Sequence, residues 1–162
     1  MANRIGPYSK FGLILAAATL VADQASKLFV LHGLRLAVGD VLTVTPFFDI
    51  ALVMNRGISY GLLPQDSDLG RWLLVMVNLA AAALFTIWLG RFHSRLPAAA
   101  IGLLIGGALG NAIDRTVYGA VVDFVSLHAF GWRWYIFNVA DAAIVAGVIG
   151  LLYDALMARA TK

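Results

Sequence analysis

The chain has 162 residues, 61% of them hydrophobic and 13% charged, and its mean hydropathy of +0.85 lies outside the range of soluble globular domains. That composition describes an integral membrane protein, one domain over 1–162, with room for four helical spans of about 20 residues each. The sequence holds no Cys, which excludes thiol nucleophiles, disulfides and thiolate metal sites, and its net charge of +3 comes from basic residues scattered through connecting segments, which argues against a nucleic-acid partner.

Arg4 and Lys10 precede an apolar run from Phe11 to Ala22 that alone has the length of the apolar region of a cleaved signal peptide. The pattern resumes at Leu28 beyond Asp23 and Lys27, so the reading is an uncleaved first span over 11–31. Asp23 and Lys27 are four residues apart, share a helix face and are expected to pair near its end.

Residues 32–71 read as extramembrane. From Arg35 to Met54 short runs rich in Val, Thr and Phe are broken by Gly39, Asp40 and Pro46, which is strand chemistry and predicts a small sheet between the first two spans. Asn55-Arg-Gly-Ile-Ser-Tyr-Gly-Leu-Leu63 then carries two glycines and ends at Pro64, the features of a turn into a short amphipathic element. Gly57-Ile-Ser-Tyr-Gly61 also fits G-x-S-x-G, but that motif marks a serine nucleophile only between a strand and a helix of a hydrolase sheet, and turn-forming glycines explain it here.

A second span is expected over 72–89, a tight connection through Arg91, His93 and Arg95, and a third span over 96–113. The third contains overlapping Gly102-xxx-Gly106 and Gly106-xxx-Gly110 spacings that admit a close neighbouring helix. The connection 116–135 carries Trp132, Trp134 and Tyr135, as an interfacial belt would, and the fourth span is expected over 136–156. Arg4, Lys10, Arg91, Arg95, Arg159 and Lys162 fall at the termini and the second connection, against Arg35, Arg56, Arg71 and Arg133 elsewhere, so both termini are expected in the cytoplasm. Asp23, Asn55, Asp114, Asp123 and Asp141 then converge near the outer face from distant parts of the chain.

Every acid is an Asp, nine in all. Asp154 reads as an interfacial charge, and Asp40, Asp66 and Asp68 as solvated. The histidines, His32, His93 and His128, are isolated, so no metal site is expected. A carboxylate pair fits better: two aspartates sharing a site cannot both ionise easily, so one keeps a proton while the other activates water. Asp141 ranks first for such a pair. Asp114 shares with it the echo Asn111-x-x-Asp114, Asn138-x-x-Asp141, but Arg115 beside Asp114 would favour a permanently ionised carboxylate if the two side chains meet. Asp123, flanked by Val122 and Phe124, is slightly favoured as its partner. Asn111 and Asn138 face the same way as those acids and could hold substrate backbone or an oxyanion, or else bond helix to helix.

Five blocks carry a resemblance: Ala22-Asp-Gln-Ala-Ser-Lys27, Asn55-Arg-Gly-Ile-Ser-Tyr60, Gly106-Gly-Ala-Leu-Gly-Asn-Ala-Ile-Asp-Arg115, Val121-Val-Asp-Phe124 and Phe137-Asn-Val-Ala-Asp-Ala142. In this order, over nearly the whole chain, they resemble the signature blocks of bacterial lipoprotein signal peptidase, signal peptidase II. The resemblance implies a membrane α-helical protein of the bacterial inner membrane with four transmembrane helices, a small extramembrane β-sheet and a short periplasmic helix. It implies an aspartyl endopeptidase, without cofactor and monomeric, that removes the signal peptide from prolipoproteins by cutting before a diacylglyceryl-modified cysteine. Matched motif by motif, it makes Asp123 and Asp141 catalytic, Asn55, Asn111, Arg115 and Asn138 substrate-binding, and Asp23, Lys27, Asp114 and Gly57 supporting. Arg56 departs from the small Thr more frequent in the family after the Asn, and Ala142 from the frequent Ser. Two rival readings of the residues remain: a proton-coupled transporter or channel, which would spread its acids at varied depths, and a scaffold packed through its glycines.

Overall fold

The computed structural model describes residues 6–57 and 67–160. Its centre is α3 (Arg95–Tyr118), where 72% of the most apolar stretch is buried, against 28% or less in α1 (Ser9–Leu28), α2 (Asp68–Leu89) and α4 (Val139–Ala160). Glycine makes that position possible. A Cβ at Gly106 would lie 2.5 Å from the carbonyl oxygen of Ala16, and one at Gly107 would lie 2.6 Å from that of Ala140, so α1 and α4 both approach α3 backbone to backbone. The α1 face that meets the glycines is itself small, with Gly12, Ala16 and Thr19 buried. On a further side Ala82 and Leu89 of α2 join Ile101, Leu104, Ile105 and Ala108 of α3 in one apolar cluster.

All four helices are long and apolar enough to cross a membrane. Ser67 caps α2, its hydroxyl accepting from the Gly70 N–H at 3.2 Å. At the far end of α2 the Gly6 N–H bonds the Gly90 carbonyl at 3.1 Å, which ties the start of the chain to the α2–α3 connection.

The sheet is antiparallel, in the order β1 (Val41–Thr45), β2 (Phe48–Asn55), β3 (Val121–Ala129), β4 (Trp132–Arg133). Strands were expected only between the first two spans, and half of the sheet comes from the connection between the last two. Gly119 is responsible for the turn. It ends α3 in the left-handed region at φ 76°, a conformation that costs glycine nothing, and two residues later the chain is paired with β2, Val121 opposite Asn55 and Asp123 opposite Val53. Alternation along β3 sends Val122 and Phe124 into an apolar cluster with Val30 and Leu52, and Asp123 to the other face. A π-helical turn, Phe29–Gly33, closes α1. The short amphipathic element expected after Gly57 falls on residues 58–66, outside the described residues.

Candidate functional site

Asp123 and Asp141 meet because the chain before α4 is fastened to β3. Phe137 exchanges backbone hydrogen bonds with Val125, its N–H donating at 3.1 Å and its carbonyl accepting at 2.8 Å, and the same carbonyl accepts from the Phe124 N–H. Asn138 follows and caps α4: its Oδ1 accepts from the Asp141 N–H at 2.9 Å. A second N–H at this helix end, that of Ala140, donates to Oδ1 of Asp23 at 2.8 Å. Two of the donors that any helix start leaves unmade are thus filled, and Asp141 is held in the first turn beside the strand that carries Asp123.

Three asparagines hold the two carboxyls. Asn138 Nδ2 donates to Oδ1 of Asp123 at 2.7 Å and Asn55 Nδ2 to Oδ2 of Asp123 at 3.0 Å, while Asn111 Nδ2 donates to Oδ1 of Asp141 at 2.9 Å. Asn138 Nδ2 also reaches Asn111 Oδ1 at 3.3 Å, and Asn55 Nδ2 reaches the Tyr135 hydroxyl at 2.9 Å. Asp123 is 1% exposed, whereas Asp141 is half-buried on the wall of a cleft. Burial pushes the Asp123 carboxyl up to about 7, the charge of Asp141 pushes the same way, and the Asn55 and Asn138 donors pull back against both.

Behind this pair lies a second polar cluster. Lys27 Nζ sits 2.7 Å from a carboxylate oxygen of Asp23 and 2.7 Å from one of Asp114, and all three side chains are at most 2% exposed. Gln24 Nε2 donates to the other Asp114 oxygen at 2.9 Å, and the Val122 N–H donates to Asp114 Oδ2 at 3.1 Å, tying the cluster to β3. Asp23 and Lys27 therefore pair as expected, but in the interior and with a third partner. The cation beside Asp114 is Lys27 and not its neighbour Arg115, which turns away to the Gly57 carbonyl at 2.9 Å and the Asn111 carbonyl at 3.5 Å. A Cβ at Gly110 would collide with the Asp23 carboxylate, so the last glycine of the spacing leaves room for this cluster.

The cleft before Asp141 has a volume of about 260 Å³. Its walls are one face each of three helices: Leu74, Val77 and Asn78 of α2, Asn111 and Arg115 of α3, Asp141, Ile144 and Val145 of α4, closed at one end by Asn55 and Val121. A larger apolar groove of about 470 Å³ adjoins Asp141 from the side of Trp134, Tyr135 and Phe137.

Asn55, Gly57, Asn111, Arg115, Asn138, Asp123 and Asp141 thus gather at one place, with Asp23, Lys27 and Asp114 directly behind. Asn78, Gln24 and Tyr135 were not foreseen. A lone Asn in the run Val75-Met-Val-Asn-Leu-Ala80 carries no local signal beyond its cost in lipid. Sequence reasoning also passed over Asp49, which is buried on β2 and within ion-pair distance of His128 at 3.0 Å and Arg133 at 3.3 Å, a clamp across three strands. Among the described residues no group of three or more His, Cys, Asp or Glu side chains is placed to hold a metal ion.

Known proteins resemble the chain over most of its length. Residues 15–157 match the family described as signal peptidase (SPase) II. The chain is 59% identical to a lipoprotein signal peptidase of Methylorubrum extorquens (strain PA1), over 90% of its own length and 85% of that protein's, and 54% identical to one of Methylobacterium sp. (strain 4-46), over 92% and 90%. Its fold superposes with a TM-score of 0.84 and 28% identity on a bacterial membrane enzyme solved by the in meso method at 2.3 Å resolution, covering 94% of this chain and 92% of that one.

Proposed function

The chain belongs to the signal peptidase II family, and from that premise we propose that Asp123 and Asp141 are the aspartyl pair with which it cuts its substrate. It is a multi-pass inner-membrane aspartyl endopeptidase that removes the signal peptide from prolipoproteins, working in membrane lipid. The transport reading falls: the chain is a peptidase by family, and Asp23, Asp114, Asp123 and Asp141 share one polar network instead of lying at varied depths.

The observation that carries the residue assignment is the division of labour between the two carboxyls. Asp123 is buried, which disfavours its charge even though both oxygens accept from amides. Asp141 faces the cleft, with Oδ1 anchored by Asn111. In the mechanism Asp141 is ionised and takes a proton from water as that water attacks the scissile carbonyl, and Asp123 holds the proton that polarises the carbonyl oxygen. When the tetrahedral adduct collapses, the C–N bond breaks, the cysteine amine leaves with one proton, and the pair retains the single proton it began with. No covalent intermediate forms.

Asn111 and Arg115 touch substrate in the cleft, while Asn138, with Nδ2 already donating to Asp123 and Asn111, fixes the spacing of the two acids. Lys27, held between Asp23 and Asp114, is the base plate of the site. Both termini lie in the cytoplasm and the site opens near the outer face, a reading supported by the basic residues at the termini and α2–α3 connection. Purified wild type, Asp123→Asn and Asp141→Asn, each checked for folded yield, are to be given a diacylglyceryl-modified precursor. Two folded and inactive variants are expected. Normal cutting by either would overturn the pair.

A further inference from the structure

The unsatisfied polar atoms of the cleft are all of one kind. Among the described residues, the buried side-chain atoms on its walls that lack a hydrogen-bond partner are Asn78 Nδ2 and Arg115 Nε, both donors. Arg115 has its other nitrogens engaged, but no hydrogen bond of the Asn78 amide accompanies its buried nitrogen. A buried donor left unmade costs about 1–3 kcal/mol, and in an apolar helix the cost is not relieved by water. Asn78 lies ten residues into α2, which begins at Asp68 and has 22 residues, so roughly 15 Å along its axis and near the middle of the helix. Leu74, four residues before it on the same helix face, and the adjacent Val77 are apolar and also line the cleft.

The substrate of a signal peptidase presents the matching deficit. The apolar part of a signal peptide crosses the bilayer as a helix, and the last four carbonyls of any helix have no intrahelical partner. Those carbonyls precede the scissile bond, and in lipid each needs a donor from the enzyme. We propose that Asn78 is a substrate-binding residue whose side-chain N–H donates to a main-chain carbonyl at the end of the signal-peptide helix, holding the bond to be cut before Asp141. The inference rests on the peptidase reading above and adds to it a contact at membrane depth, on a helix that contributes none of the acids.

The test compares wild type, Asn78→Leu and Asn78→Gln in lipid nanodiscs, with thermal midpoint, kcat and KM measured on two synthetic precursors. One carries a diacylglyceryl cysteine, the other an ether-linked dialkylglyceryl cysteine without ester carbonyls. Asn78→Leu is expected to keep or raise the midpoint, since it removes an unsatisfied group, and to lower kcat/KM about threefold to tenfold, mainly through KM. The fall is equal on both precursors, and Asn78→Gln, which keeps a donor, loses less. An unchanged kcat/KM, or a lowered midpoint that accounts for the loss, overturns the inference and leaves the peptidase reading standing. A loss confined to the ester-bearing precursor overturns it in favour of a lipid contact. Wild type that cuts neither precursor overturns the peptidase reading itself.

Discussion

Two clusters of aspartate lie back to back at one end of this molecule, built from the same side chain, yet they are held by different partners. Asp23 and Asp114 share Lys27 at 2.7 Å each and take further bonds from Ala140, Gln24 and Val122. Among the described residues, the hydrogen bonds that the Asp123 and Asp141 carboxyls accept come from amides. A cation and a neutral donor both favour the charged form of a carboxylate, but only the cation also neutralises it. Burial is the larger influence on Asp123, and the amides that hold it offset that influence only in part. The two clusters also depend on each other, since Asn111 Oδ1 accepts from Lys27 on one side at 3.5 Å while Asn111 Nδ2 donates to Asp141 on the other.

The comparison breaks most visibly at the amide-held pair. Asp141→Asn and Asp123→Asn remove the proposed base or the proposed acid without removing volume, and each is expected to lower kcat by roughly 10²–10⁴-fold or more while folded yield stays near that of wild type. Loss of yield in step with activity would place these acids in the same structural class as Asp114.

The cation-held cluster should respond the other way. Lys27→Met leaves two buried carboxylates facing each other without their counter-ion, and breaking a buried pair costs about 3–5 kcal/mol. Lower folded yield and a lower thermal midpoint are expected, measured in the same detergent or lipid. If Lys27→Met were as stable as wild type, Asp23 and Asp114 would have to carry protons, and the contrast between the clusters would disappear.

How much of this could be read from the chain depended on whether partners are near in sequence. The four apolar runs and the Asp123 and Asp141 motifs are local signals, and the five ordered blocks named the family because each is short and contiguous. The helix-facing glycines were legible too, since Gly102, Gly106 and Gly110 declare a close approach by spacing alone. Strands β3 and β4 were not, because Ala120-Val-Val-Asp-Phe124 is too short an apolar run to separate strand from helix by period, and its decisive feature is pairing with residues about 70 positions earlier, Val53 opposite Asp123. Lys27 could be matched to Asp23 four residues away but not to Asp114, which only the α1–α3 packing brings to it. The clamp of Asp49, His128 and Arg133 was hidden for the same reason.

Asn138 sharpens the comparison by belonging to both arrangements of bonds. It caps α4 through Oδ1 and holds Asp123 through Nδ2. Asn138→Ala is expected to cost about 1 kcal/mol through the lost cap and to lower kcat/KM about tenfold through a carboxyl left free to shift. Asn138→Asp restores the cap acceptor but places a third acid beside the pair, so stability and activity should separate: thermal midpoint measurements recover part of the loss, and cleavage rates fall further. Recovery of both together would mean that the cap alone matters.

The smallest expected effect is a drift of stability with pH that comes from Asp123. The folded protein keeps a proton on Asp123 up to about pH 7, whereas an unfolded chain releases it near the ordinary value of 3.8. Between those values the folded state binds more protons than the unfolded one, so the contribution of Asp123 to stability is complete below about 3.8 and is lost as pH rises through about 7. Asp123→Asn cannot ionise and is exempt from the loss. The thermal midpoint of Asp123→Asn minus that of wild type is therefore expected to grow from pH 5 to pH 8, the same window in which the wild-type kcat/KM should fall on its alkaline side as Asp123 gives up the proton needed to polarise the carbonyl. A difference that stays flat across that range would mean that Asp123 is ionised throughout, and the proton of the resting pair would then have to sit on Asp141, reversing the acid and base roles while leaving the pair itself in place.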